Sequence, residues 1–334
     1  MNKEQDLDVI LLGRIAIDFN PIEIYCGLED SQTFKKYLGG SPANIAVGLA
    51  RLKQRVGFIG MISDDQFGKF VLHYFEKEGI DTSHIVKARH NENLGLTFTE
   101  IKSDSDSSIL MYRNEAADLK LEVSDISEHY IQRAKYLVIS GTALSQSPSR
   151  EATLKALYIA KKYHIVVVFD IDYRSYTWNH HDELSIYYSI IAEKSDIIIG
   201  SKEEYDLMYA LEGSNLTCNE IAKKAQASGS QLVVIKEGKD GSLVYSANEI
   251  YRVKPIPVKL LKSFGGGDAY ASALIYGLLM KLPLADTLLL ATASASMLVS
   301  SHSCSADMPT IEQLEQFIQE KLKTMNADNI VWSL

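Results

Sequence analysis

Lys262-Ser263-Phe264-Gly265-Gly266-Gly267-Asp268-Ala269-Tyr270-Ala271-Ser272-Ala273-Leu274 sets three consecutive glycines and an aspartate directly ahead of an Ala- and Leu-rich run. Such a run favours helix, so a helix is predicted over about 269–281. Glycines let backbone N–H groups turn toward a ligand, and a helix N-terminus adds unpaired donors and partial positive charge. Together they form an anion hole. An aspartate there repels an anion, so Asp268 is either an N-cap after a flexible turn or a general base beside a developing phosphoryl charge.

Outward from this loop, short apolar runs alternate with helical patterns. Asp8–Gly13, Arg55–Gly60, Tyr136–Gly141, Ile165–Asp170, Ile197–Gly200 and Leu232–Gly238 read as strands, and Ser149–Tyr163 as a helix between two of them. Further helices are expected at 284–300 and near 310–324. A hairpin is expected at Lys239-Asp240-Gly241 into Ser242–Tyr245. This rhythm predicts an α/β fold, a doubly wound, mostly parallel sheet flanked by helices. Two stretches break it, 22–38 and 94–113, the second being two alternating strands around Ser103–Ser107. They are read as insertions forming a small β-sheet lid on a single domain spanning 1–334.

Gly39-Gly40-Ser41-Pro42-Ala43-Asn44 is a second glycine turn opening a helix, with Ile45, Leu49 and Leu52 at helical spacing. Asn44 then faces the turn or is a solvated first-turn residue. Asp18, just beyond the first strand, stands where α/β sheets bind ligands, or is a turn aspartate.

The totals exclude several classes. The 334 residues, 46% of them apolar, support a large core, and the net charge of −9 speaks against nucleic acid or an anionic membrane as partner. Three scattered cysteines argue for a reducing compartment. No signal-peptide pattern and no spanning apolar run is read, so a cytoplasmic location is expected. The dinucleotide and Walker fingerprints, zinc motifs and the G-x-S-x-G elbow are absent from the sequence.

With both glycine turns in order, and Val56–Gly68 between them, the chain resembles the ribokinase (PfkB) family of carbohydrate kinases over nearly its whole length. The family's late motif, D-T-x-G-A-G-D, is matched conservatively at Ser263 and then at Gly265, Gly267 and Asp268. The resemblance implies ATP and Mg2+ as cofactors and a sugar as the other substrate. By the same resemblance Asp268 is the base, Gly265, Gly266 and Gly267 form the anion hole, and Asp18, Gly39, Gly40 and Asn44 hold sugar hydroxyls. Glu203 would organise Mg2+ through water, and Lys236, Gly238, Ser201 and Ser263 would line the nucleotide site.

Three departures stand out. Lys262 replaces the first aspartate of the late motif, a position that belongs to a monovalent-cation site in several members. Its ammonium either takes the place of bound K+ or points to solvent. Gly200 replaces the asparagine of N-x-x-E, with Ser201 a substitute. Glu237 stands where an apolar residue is usual.

Phe169–Trp178, with Asp172 and Arg174, and Met111–Ala117, with Tyr112 and Arg113, resemble stretches of the family's sugar-acid kinases. Arg recognises a carboxylate bidentately, so the pair suggests an acidic sugar, and the resemblance implies a keto-deoxy sugar acid; each arginine is otherwise a surface or lid salt bridge. A neutral-sugar kinase and a catalytically silent sugar-binding regulator stay open. The family resemblance also implies a homo-oligomer formed through the lid.

Overall fold

In the computed structural model, residues 5–103, 106–178, 180–213 and 216–334 are described. The strands in chain order are β1 (Leu7–Leu12), β2 (Ala16–Pro21), β3 (Phe34–Gly39), β4 (Val56–Ile62), β5 (Asp81–Lys87), β6 (Gly95–Ile101), β7 (Ser107–Tyr112), β8 (Ala134–Ser140), β9 (Val166–Asp170), β10 (Ile197–Ser201), β11 (Leu232–Lys236), β12 (Ser242–Ser246), β13 (Ile250–Val253) and β14 (Val331–Ser333). Ten form one sheet in the order β14-β13-β12-β11-β10-β9-β8-β1-β4-β5. The block from β11 to β5 is parallel, and β12, β13 and β14 add an antiparallel edge.

Every residue of β1 and β4 is buried, as expected of parallel strands covered by helices on both faces. Helices Ser41–Arg51, Gly266–Leu279 and Leu284–Val299 pack one face, around Leu49, Ile275 and Leu288. Helices Ser149–Lys162, His181–Ala192 and Cys218–Ala227 pack the other, around Leu157, Tyr188 and Ile221. Chain order reverses at β1, flanked by β4 and β8, which is where such sheets open a crevice. The sequence missed β5, β13 and β14, short or edge strands that carry mixed burial instead of an apolar run.

A separate four-stranded sheet has the order β3-β2-β6-β7. Its β2 starts at Ala16, so the lid takes in Asp18, which the sequence reading had placed at the edge of the main sheet. The cause is local: β2 is extended like β1 but pairs with β3 and β6. Tyr37, Asp18, Thr97 and Met111 stand opposite one another across this sheet and share one face. Leu96 and Tyr112 face the other way, where Phe98 stacks on Phe19 and meets Tyr112 edge-on. The lid is tied to the 302–305 loop: Asn20 donates to the His302 carbonyl at 2.7 Å, and Ser305 Oγ to the Leu38 carbonyl at 2.7 Å.

Candidate active site

The two glycine turns meet. Gly265 adopts a left-handed φ of 86° and caps helix Gly266–Leu279, whose first turn carries Asp268. Pro42 sets the first turn of helix Ser41–Arg51, which presents Ser41 and Asn44 toward the same point. Ser41 Oγ donates to Asp268 Oδ1 at 2.8 Å, and Asn44 Nδ2 donates to Asp268 Oδ2 at 2.8 Å. Both carboxylate oxygens thus hold one donor each and keep lone pairs for a substrate hydroxyl. Burial raises the Asp268 pKa above its ordinary value, Asp172 adds to this, and the Asn44 and Ser41 hydrogen bonds oppose it.

Asp18 faces this point from the lid. A side chain on Gly39 would collide with the Asp18 carboxylate, so the turn needs glycine to let that carboxylate pass. Burial moves the Asp18 pKa up to about 6, against the nearby Arg14 charge.

Further acids gather below. Asp170 Oδ2 lies 3.3 Å from Ser41 Oγ, and Asp170 Oδ1 lies 3.9 Å from Lys236 Nζ. Asp172 pairs with Arg174 at 2.6 Å and accepts from Ser140 at 3.1 Å. Asp170 is raised by burial, only partly offset by Lys236. Burial works against the Lys236 ammonium, yet Glu204, Asp170, Asp172 and Asp268 together outweigh it and hold it charged. Lys236 Nζ sits over Gly267, 3.5 Å from where a Cβ would be.

Beside the glycine turn opens a cavity of about 450 Å³, lined by Lys236, Gly238, Ser263, Gly265, Tyr270 and Thr292 among others. Its size suits a nucleotide. Lys262 ends not in solvent but fully buried, its Nζ donating to the Ser303 carbonyl at 2.7 Å. Burial lowers its pKa, while Cys304, Asp307 and Asp18 work the other way.

Several expected residues fall elsewhere. Glu203 is exposed, whereas its neighbour Glu204 turns inward and accepts from the Ser201 amide at 2.6 Å and the Tyr173 amide at 2.8 Å. Ser201 Oγ is engaged in capping helix Lys202–Met208. Ser201 and Glu204 form a capping box, S-x-x-E, and that local signal could have shifted the acid by one position. Arg113 is buried and paired through Nε and Nη2 with Asp118, and Nη2 also donates to the Thr142 carbonyl. Tyr112 lies on the lid face opposite Asp18 and is 58% exposed.

Among the described residues no group of three or more His, Cys, Asp or Glu could hold a metal ion directly. The acids around Lys236 nevertheless outnumber the cations. That excess suits Mg2+ carried by nucleotide phosphates with water between it and the protein, Glu204 and Asp170 being the acids on that side. Among the described residues no helix is long and apolar enough to cross a membrane.

Residues 6–311 match the profile of the pfkB family carbohydrate kinases. A 5-dehydro-2-deoxygluconokinase of Clostridium perfringens is 59% identical over 321 residues, covering 96% of this chain and 95% of the relative. One of Geobacillus kaustophilus is 49% identical over 320 residues, with 96% of each covered. In fold, the chain is similar to a ribokinase-II-type protein of Escherichia coli solved with ATP and Mg2+, at 23% identity and TM-score 0.85, covering 94% of this chain and 99% of that one.

Proposed function

The chain belongs to the pfkB family of carbohydrate kinases, and we propose that it transfers the γ-phosphoryl group of ATP to the 6-hydroxyl of 5-dehydro-2-deoxy-D-gluconate, a step of myo-inositol breakdown. The observation that carries the chemistry is the Ser41–Asp268–Asn44 arrangement at the mouth of a glycine turn. The choice of sugar acid rests on the two relatives that share 49% and 59% identity with nearly the whole chain.

The sugar lies between Asp18 and Asp268, its hydroxyls held by Asp18, Asn44 and the Gly39–Gly40 turn. Asp268 accepts the proton of the attacking hydroxyl. The amides of Gly265, Gly266 and Gly267, the helix N-terminus behind them and Lys236 hold the charge on the phosphoryl oxygens. Mg2+, when bound with ATP, screens that charge, and Glu204, in place of Glu203, would hold it through water. The 450 Å³ cavity takes the nucleotide.

Lys262 supplies the positive charge for which other members recruit K+: its buried Nζ sits on a backbone carbonyl as a monovalent cation does. Phe98, Leu110 and Tyr112, on the lid's outer face and in part exposed, suit a homo-oligomer formed through the lid. The activity belongs in the cytoplasm, where ATP is made.

Coupled ADP release tests the reading across purified keto-deoxy sugar acids and neutral hexoses, with Mg2+. Preferred turnover of 5-dehydro-2-deoxygluconate is expected. Preference for 2-dehydro-3-deoxygluconate or a neutral hexose overturns the substrate, and no turnover of any sugar overturns the activity.

A further inference from the structure

Three arginines border the sugar side of the cleft, and they differ in what neutralises them. Arg113 is paired with Asp118, and Arg174 with Asp172. Arg14 is 4% exposed and forms no ion pair among the described residues. Its Nε is buried with no hydrogen-bond partner, and its Nη1 rests against the Met111 sulfur, a weak neutral acceptor. A guanidinium taken out of water without an anion is unfavourable by several kcal/mol in general. Asp18 acts on Arg14 only from beyond ion-pair distance, so a ligand carboxylate in direct contact relieves that cost.

Its placement points to the sugar. Arg14 follows Gly13 where the chain leaves β1, at the reversal of strand order, and its carbonyl packs on Gly40 of the sugar-side turn. Met111 stands opposite Thr97, and Thr97 opposite Asp18, so the Arg14 side chain reaches the lid row that presents Asp18. Two neighbours register its charge: Asp18 is affected by Arg14 and by Asp268, and the Tyr176 phenol by Arg14, Arg174, Asp172 and Arg113. Arg14 therefore lies beside the Gly40 turn and the lid row that presents Asp18.

We propose that Arg14 determines specificity for an anionic substrate, its guanidinium taking the carboxylate of the sugar acid. This rests on the sugar-acid reading above. Arg113, whose Nε and Nη2 are taken up by Asp118 and the Thr142 carbonyl and whose Nη1 alone lacks a partner, then shapes the wall of the site.

The test is steady-state kinetics of wild type, Arg14→Met and Arg14→Lys, each with 5-dehydro-2-deoxygluconate and with its neutral carboxamide. Arg14→Met should raise KM for the acid on the order of 30-fold or more, the loss that follows removal of one partner of a buried charge pair. Its kcat, and its KM for the carboxamide, should change less than about threefold. Arg14→Lys keeps a cation in the same place and should fall between the two for the acid alone. Equal KM changes for acid and carboxamide, in either variant, would overturn the role of Arg14 and leave the sugar-acid reading standing. If wild type itself does not prefer the acid to the carboxamide, the sugar-acid reading falls, and this inference with it.

Discussion

Asn44 Nδ2 lies 2.8 Å from Asp268 Oδ2, closing a contact across 224 residues of sequence. It fixes the carboxylate proposed as the base, and it opposes the upward pull of burial on that carboxyl's pKa. Asp268→Asn should lower kcat by about 10³-fold or more while sugar affinity, measured by calorimetry, changes little. Asn44→Ala should move the acidic limb of the kcat–pH profile upward, because the raised carboxyl of Asp268 then loses a bond that favours its charged form. An unmoved limb would separate Asn44 from the base.

Two adjacent acids should behave oppositely. Glu204 turns into the cleft and Glu203 out of it. Glu204→Gln should raise the Mg2+ concentration needed for half-maximal rate about tenfold or more, as loss of an outer-sphere ligand does. Glu203→Gln should leave it unchanged. A Mg2+ titration of both variants checks this.

Lys262 predicts the salt behaviour. Wild type should be as fast in Na+ as in K+, since the buried ammonium already occupies the Ser303 carbonyl. Lys262→Asp should lose most activity and recover part of it in K+ only. Strong K+ activation of wild type would end the idea of a covalently attached cation.

Arg113 should matter more to folding than to catalysis. Its buried pair with Asp118 has side chains 3% and 2% exposed. Arg113→Ala leaves Asp118 buried and alone, which costs about 3–5 kcal/mol and should be read as a large fall in Tm. Arg113→Met with Asp118→Leu should restore most of it.

Asp18 links stability to pH. Its folded pKa, about 6, lies above the ordinary 3.8. A carboxyl raised in this way favours the folded state while protonated, below about pH 4, and that advantage is lost as pH rises through 6. Asp18→Asn should therefore raise Tm at pH 7.5 and give no gain at pH 4, while raising KM for the sugar. Differential scanning fluorimetry across that range measures it.

The parallel sheet, the two glycine turns and the helices behind them are written locally, in apolar runs and in glycines followed by helical spacing, and so they are legible in the sequence. The site is less so. The Glu203–Glu204 pair differs only by the rotation of one helical residue, and Ser201 decides which acid faces in. Arg113 reads like a ligand-binding arginine until Asp118 is placed beside it. Arg14 carries no sequence signal at all: what distinguishes it is a missing partner, and partners are a property of the fold. Asp18 was legible as a candidate site residue but not as part of the lid, because β1 and β2 are equally extended and only pairing tells them apart.

The 302–305 loop holds the lid through Asn20 and Leu38 and the glycine turn through Lys262. With the sugar on the lid and the nucleotide on the glycine turn, as proposed, the two ligands share one mechanical joint. Their affinities should then be thermodynamically linked, each ligand tightening the other by the same factor. A substitution that loosens this joint would reduce that mutual factor before it reduced either affinity alone.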